Sequence, residues 1–364
     1  MVFSGEKYVL SCIKNALLKE FPPRRNELLQ VLKILMIILK GERHRRLSER
    51  VLGIKIPKTV ILSVTRRCNL SCRGCYAVNS TDKYQLSTAD IQRIIKEAIH
   101  LGSYYFIIAG GEPLMIPDLI PLLAKNKSAL FIMITNGTLL NEKLVSELKK
   151  SQNILPVISL DGNQEQVDER RGTGTWQKLQ FAMNLLRIHH VVFGISLMIT
   201  HLNLRRVLTT KWMNSIWKNG ARFGFILDYL PFNKSHHSSY NLNIEDFLIK
   251  RKLLADLRIK SPLRLFTFPE GAHCKSECFF LKDQLIHINA NGMVEPCPFC
   301  QVATENIREK PLEMILQSDF FKTLHQEFPT QRHRNDSCIL FGHEEKIKTI
   351  SAGIQKSASE NVHT

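Results

Sequence analysis

Six short apolar segments recur between Pro57 and Tyr229: Val60–Thr65, Tyr104–Ala109, Leu130–Thr135, Leu155–Leu160, Val191–Thr200 and Phe223–Tyr229. The stretches between them, near Ser87–His100, Ile116–Lys125, Glu142–Lys149, Thr175–His189 and Asn203–Lys218, have helical periodicity. Strands separated by amphipathic helices pair in parallel through crossover connections, so the pattern predicts βαβ units around one parallel sheet. Ser87 is placed to cap the first of these helices, with Asp90 at the capping-box position. The polar motifs of this region fall where the apolar segments end, and in parallel α/β folds the loops after the strands converge on one mouth.

The first such loop, Thr65 to Ala77, holds Cys68, Cys72 and Cys75 in a CxxxCxxC spacing. A [4Fe-4S] cluster normally takes four thiolates, so a loop with three leaves one iron open to a small molecule. A zinc site or three separate core thiols are the alternatives, although zinc loops usually add a second CxxC or a His. Gly110-Gly111-Glu112-Pro113 follows the second segment; its glycines permit close backbone approach to a ligand and its Glu can accept a bond from an amine, or it is an ordinary strand-to-helix turn. Asn136 ends the third segment and reads equally as a turn residue before Gly137. Ser159 and Asp161 end the fourth as small polar groups. Arg170 and Arg171, ahead of Gly172-Thr173-Gly174, could clamp a carboxylate through paired bonds. Ser196 lies on the fifth segment, facing either a ligand or a helix.

Cys-Asn-Leu-Ser-Cys-Arg-Gly-Cys-Tyr after an apolar strand, followed in order by Gly-Gly-Glu-Pro, Thr135-Asn136-Gly137, Ser159-Leu160-Asp161-Gly162 and Asp168 to Gly174, resembles the radical S-adenosylmethionine (SAM) superfamily. The resemblance implies an α/β fold, a partial (β/α)6 TIM-like barrel. It implies a [4Fe-4S] cluster on Cys68, Cys72 and Cys75, with SAM at the open iron. Gly110, Gly111 and Glu112 would then hold the methionyl amino group, and Ser159 and Asp161 the ribose side. Relatives often carry Glu at the position of Asp161, which leaves substrate contact open for it. Arg170 or Arg171 would take the methionyl carboxylate, with Tyr76, Asn136 and Ser196 as further cofactor contacts. The implied chemistry is reductive cleavage of SAM to methionine and a 5'-deoxyadenosyl radical that abstracts hydrogen from a substrate.

Beyond Pro231 the alternation ends in a polar loop, whose His236 and His237 have no neighbouring Cys or carboxylate, and a helix near Ile244–Leu257 leads to Cys274, Cys278, Cys297, Cys300 and Cys338. Leu285–Asn289 and Met293–Glu295 flank Asn291-Gly292, a hairpin signal that delivers Cys297-Pro-Phe-Cys300. This stretch, with Asn306 to Leu312, the helical pattern Leu312–Gln326 and Cys338-Ile-Leu-Phe, resembles the SPASM or twitch extension of radical SAM enzymes, a small C-terminal iron-sulfur domain. Five cysteines fit a single auxiliary [4Fe-4S] cluster on Cys278, Cys297, Cys300 and Cys338, with Cys274 as a spare or alternative ligand. Ser276-Glu277 replaces the Gly-Gly common before that first ligand, and a zinc ribbon remains the alternative.

The expected organisation is a basic helical segment (1–56), the barrel (57–232), the auxiliary-cluster domain (233–346) and a mobile tail (347–364). Nine cysteines in a basic chain favour metal ligation over disulfides. Met1–Leu10 carries Glu6 and Lys7 and no signal-peptide pattern, and the longest apolar run, Ile34–Leu39, is far short of the ~18 residues of a membrane span, so a cytoplasmic location is expected. The net charge of +17 favours acidic partners. Residues 1–58 hold 13 Lys or Arg against 5 Glu. There, helices over Tyr8–Leu18 and Glu27–Lys40 are separated by Pro22-Pro23, and the second, followed by a basic cluster to Arg46, either packs on the barrel or makes a peripheral membrane contact. No nucleic-acid-binding module is recognisable. Within the resemblance the first-choice substrate is a peptide or protein, making the chain a maturase, with an external electron donor such as flavodoxin or ferredoxin. A lipid or small metabolite is the alternative substrate, and a non-catalytic iron-sulfur electron carrier the alternative class.

Overall fold

The computed structural model describes residues 25–75, 77, 84–231, 238–268, 278–282, 284–328 and 340–360. Tyr76, His236, His237, Cys274, Cys338 and the expected helix Tyr8–Leu18 lie outside the described residues.

Seven parallel strands stand side by side in chain order: β1 (Thr59–Thr65), β2 (Tyr105–Gly110), β3 (Leu130–Thr135), β4 (Ile154–Ser159), β5 (Gly194–Ile199), β6 (Phe223–Asp228) and β7 (Arg264–Phe268). On the free side of β1 the sheet continues through parallel β8 (Leu285–Ile288) to antiparallel β9 (Val294–Glu295). The hairpin expected of the C-terminal unit is thus built onto the barrel's own first strand. β7 exceeds the six expected strands. It returns to the sheet only after the helix Ile244–Lys260, and five residues of Arg-Leu-Phe-Thr-Phe are too short to announce themselves by periodicity.

Pairing register sorts the side chains into two faces, since successive residues of a strand point to opposite sides. Ile61, Ile107 and His287 stand level on one face, as do Ser159, Ser196, Phe225 and Phe266. Leu130, Ile132, Leu155 and Val157 on this face form an apolar cluster of their own with Tyr105, Ile134, Phe223 and Phe225, distinct from the larger core between the sheet and its covering helices. This face is the concave interior.

The interior is plugged from below. The helix Arg25–Leu52, longer than the expected Glu27–Lys40, adds Ile34 and Ile37 to the interior cluster. Its contacts lie where strands begin: Gln30 Nε2 donates to the carbonyl of Gln152 (3.2 Å), Tyr104 Oη donates to Glu42 (3.2 Å), and Arg45 Nη1 donates to the carbonyl of Ile56 (3.2 Å). Of the two sequence expectations for this helix, packing on the barrel is therefore realised by one of its faces.

Two further elements differ from expectation. Arg170 and Arg171 lie in a separate helix, Gln164–Arg171, capped by Asn163 and Gln166. The expected tail is helical over Glu344–Glu360, with Ile347 and Ser351 buried. Its Ser, Ala, Lys and Glu composition, which suits a mobile tail, also contains good helix formers, and Ile347, Ile350 and Ile354 share a face.

Candidate active site

The cysteine loop leaves β1 and is pinned to the ends of its neighbours by backbone bonds. Gly111 N donates to Thr65 O (2.6 Å) and Glu112 N to Arg67 O (2.8 Å), while Arg73 N donates to Arg170 O (2.8 Å). The two glycines are explained by this contact. A Cβ on Gly110 would collide with the carbonyl of Thr65, and one on Gly111 with that of Arg67. The close approach expected to serve a ligand is thus used at least in part by the cysteine loop itself.

Glu112 is fully buried and braces the ends of two strands. Its Oε1 accepts from Thr135 Oγ1 (2.7 Å) and Leu114 N (3.0 Å), and its Oε2 accepts from Asn136 N (2.7 Å). Burial raises its pKa; these bonds and the charge of Arg171 work against the rise. A carboxylate has about four acceptor positions, so three donors leave room for one more bond.

Asn136 turns its side chain to the cysteine loop. Its Nδ2 donates to Asn69 Oδ1 (2.8 Å) and stands 3.7 Å from Cys68 Sγ, which Leu70 N also approaches at 3.5 Å. Asn69 in turn donates to Thr138 Oγ1 (2.8 Å). Such N–H···S contacts favour the thiolate, the ligating form. Burial pushes the Cys68 and Cys72 thiols up, and for Cys72 the guanidiniums of Arg171 and Arg170 oppose this.

Asp161, Arg170 and Arg171 form one buried group. Arg170 Nη1 and Arg171 Nε each donate to Asp161 Oδ2 at 2.6 Å, and Met198 N donates to Oδ1 (3.3 Å). Burial alone would raise the Asp161 carboxyl, but Arg170 and Arg171 outweigh it and hold it at about 2. Two guanidiniums on one carboxylate leave one positive charge in excess, and Arg170 Nε is buried without a hydrogen-bond partner among the described residues. Ser159 and Ser196, paired across β4 and β5, stand level on the interior face beside this group.

The second cysteine set is reached through the β8–β9 hairpin, which turns at Asn291-Gly292. Cys297 and Cys300 are buried and face each other across a one-residue bridge, and Cys278 is half-buried nearby in sequence to Phe279, which packs with Phe299 around Phe268. Sequence reading passed over a polar chain at the root of this hairpin. His287 Nε2 meets Ser63 Oγ (2.8 Å), His287 Nδ1 meets Glu295 Oε2 (2.7 Å), and Asn289 Nδ2 donates to Glu295 Oε1 (2.6 Å), all buried. The available signal was Ser63, a polar residue inside the apolar run Val60–Val64.

Residues 62–211 match the radical SAM superfamily, and residues 278–339 match SPASM, an iron-sulfur cluster-binding domain. An AdoMet-dependent heme synthase of Nitratidesulfovibrio vulgaris is 30% identical over 317 residues, which are 77% of this chain and 83% of the synthase. This chain belongs to the radical SAM superfamily. An uncharacterized protein of Methanocaldococcus jannaschii, MJ0907, is 28% identical over 66% of this chain and 85% of its own. Among solved structures, Streptococcus suis SuiB bound to S-adenosylmethionine superposes with a TM-score of 0.66 at 19% identity, covering 93% of this chain and 82% of SuiB. The sheet is accordingly the partial barrel of radical SAM enzymes.

Radical SAM membership implies a [4Fe-4S] cluster with SAM, and the SPASM match implies further iron-sulfur ligation. Among the described residues no three His, Cys, Asp or Glu side chains converge on a site for a single metal ion. The donor chemistry fits the implied groups. Three free thiols share one loop, N–H donors approach the Cys68 sulfur, and a buried guanidinium nitrogen with no hydrogen-bond partner among the described residues lies in a group of net positive charge that acts on Cys72. Cys68, Cys72 and Cys75 would hold the cluster of a radical SAM site. When bound, cluster and SAM supply one-electron cleavage of the sulfonium and hydrogen abstraction; the chain supplies position and a dry surround.

Proposed function

We propose that this radical SAM protein cleaves SAM reductively and abstracts hydrogen from a peptide or protein, as a maturase fed by an external electron donor such as flavodoxin or ferredoxin. The observation that carries the cleavage chemistry is the Asp161–Arg170–Arg171 group, whose excess charge and unpartnered Nε serve an anionic ligand beside the cysteine loop. A plain electron carrier has no use for such a group. In this reading Arg170 Nε takes the methionyl carboxylate, Glu112 keeps its remaining acceptor position for the amino group, and Ser159, Ser196, Asn136 and Tyr76 complete the pocket. Cys278, Cys297, Cys300 and Cys338 hold one auxiliary cluster, with Cys274 as a spare or alternative ligand. For a peptide substrate the support is the mycofactocin maturase MftC of Mycobacterium ulcerans, 31% identical over 42% of this chain.

A second reading, a small metabolite or lipid substrate, is supported by the heme synthase relative and by the half-buried aromatic and aliphatic side chains Phe225 and Ile134 on the interior face. The experiment is anaerobic reduction of the reconstituted protein with SAM. 5'-Deoxyadenosine should form and should vanish in Cys72→Ala. Reducible clusters without cleavage would leave the carrier reading standing. Deuterium transfer into 5'-deoxyadenosine from labelled peptides or from a labelled iron porphyrin then separates the substrate classes.

A further inference from the structure

The outer face of the helix Arg25–Leu52 is not used by the barrel. While Gln30, Ile34 and Ile37 point inward, Leu29 (52% exposed), Leu32 (45%), Met36 (53%), Leu39 (45%), Leu47 (50%) and Val51 (83%) face out. At ~100° per residue these six project within an arc of about 120°. The same arc carries Lys40, Arg43 and Arg50, all exposed. Between residues 29 and 55 the only acids are Glu42 and Glu49. Both are turned toward the protein: Glu42 accepts from Arg45, Arg46 and Tyr104, and Glu49 accepts from Arg45 and from Ile56 N. Burial would raise the Glu42 carboxyl, but Arg45 and Arg46 outweigh it and hold it at about 2, so it stays charged and engaged at any working pH.

We propose that this face docks the protein on an anionic lipid bilayer. An apolar ridge interleaved with cations and free of exposed carboxylates matches an interface in which acyl chains lie beneath negative headgroups. A second copy of the chain fits the ridge poorly, because two such faces would oppose Lys40, Arg43 and Arg50 with no acid between them. No described helix is long and apolar enough to cross a membrane, so the attachment is peripheral. The contact has a defined orientation. The helix lies across the amino ends of the strands, opposite the cysteine loop, so a docked molecule holds the mouth of its barrel toward the aqueous phase. Substrate and reductant then arrive from water, and the membrane fixes the place of the reaction without supplying the substrate through this helix.

The test is co-sedimentation of the full chain with vesicles of phosphatidylcholine alone and with added phosphatidylglycerol. The wild type should pellet with the anionic vesicles and stay in solution with the neutral ones. Met36→Glu with Leu32→Glu, and separately Lys40→Gln with Arg43→Gln, should each weaken the anionic binding about tenfold or more. Far-UV circular dichroism checks that the variants, all at exposed positions, keep their helices. Equal partition into both vesicles, or none, overturns the proposal. A dimer in solution that Met36→Glu disperses assigns the face to a second copy and overturns it. Loss of thermal stability in Met36→Glu without any lipid binding by the wild type assigns it to the chain's own residues 1–24 and also overturns it.

Discussion

His287 and Ser63 meet at 2.8 Å across the seam between β8 and β1, five residues before Cys68 on one side and ten before Cys297 on the other. The Glu295 carboxyl at Nδ1 and the Ser63 hydroxyl at Nε2 hold the ring from both sides. This buried chain is the polar joint between the strand of one cysteine loop and the hairpin of the other. His287→Ala removes the partner of a buried carboxylate and should cost about 2–4 kcal/mol. Ser63→Ala removes one bond and should cost about 1 kcal/mol. Urea unfolding of the two apoproteins checks the order. Equal losses would mean that the Glu295 contact contributes nothing.

The Asp161 group should show itself in acid. Its carboxyl titrates at about 2 in the folded chain, below an unfolded value near 4. A depressed carboxyl contributes stability that is complete above the unfolded value and is lost as pH falls through the folded one. The contribution here is about 2–3 kcal/mol. The difference in unfolding free energy between wild type and Asp161→Asn apoproteins should therefore be constant at pH 6–7 and shrink from about pH 4 downward. A difference independent of pH across that window would show that the two arginines stabilise no charge there.

Glu112 tests geometry without a change of shape. Both carboxylate oxygens accept from fixed donors, Oε1 from Thr135 and Leu114 and Oε2 from Asn136 N. In Glu112→Gln the amide NH2 must face one of these sets, donor against donor. The expected cost is about 1–3 kcal/mol, with cluster loading and SAM cleavage both reduced. Because burial raises the pKa of Glu112, part of this loss is offset by relief of a buried charge. Chemical denaturation at neutral pH measures the balance, and a variant as stable as wild type would place the carboxyl in its protonated form.

The alternation of strands with helices made the first six strands and the mouth of the barrel legible, because short continuous apolar runs and turn residues are local signals. β7 and the hairpin's place in the sheet were not legible: Arg264–Phe268 is too short, and which strand edge receives Leu285–Ile288 is decided by pairing across more than 200 residues. Among site residues, Cys68, Cys72 and Cys75 announce themselves by spacing. The engagement of Arg170 and Arg171 with Asp161 could not be read, since it depends on the helix Gln164–Arg171 bringing them back over the end of β4. His287 and Glu295 were hidden for the same reason. Each is an ordinary strand residue until the β8–β9 register sets them opposite one another.

Two glycines separate close packing from chain freedom. At Gly111 an added methyl meets the Arg67 carbonyl, part of the backbone that opens the cysteine loop, and backbone cannot swing aside as a side chain can. Gly111→Ala should therefore displace the loop, breaking the bonds from Gly111 N to Thr65 O and from Glu112 N to Arg67 O, and should abolish cluster loading at Cys68, Cys72 and Cys75. At Gly353, inside the helix Glu344–Glu360, an added methyl meets nothing within 4 Å. There the substitution exchanges glycine for the best helix former and should stabilise that helix by up to about 1 kcal/mol. Iron content and hydrogen exchange in the two variants give the comparison. Full iron in Gly111→Ala would mean that the loop is held by its cluster ligands and not by its contact with the Gly110-Gly111 turn.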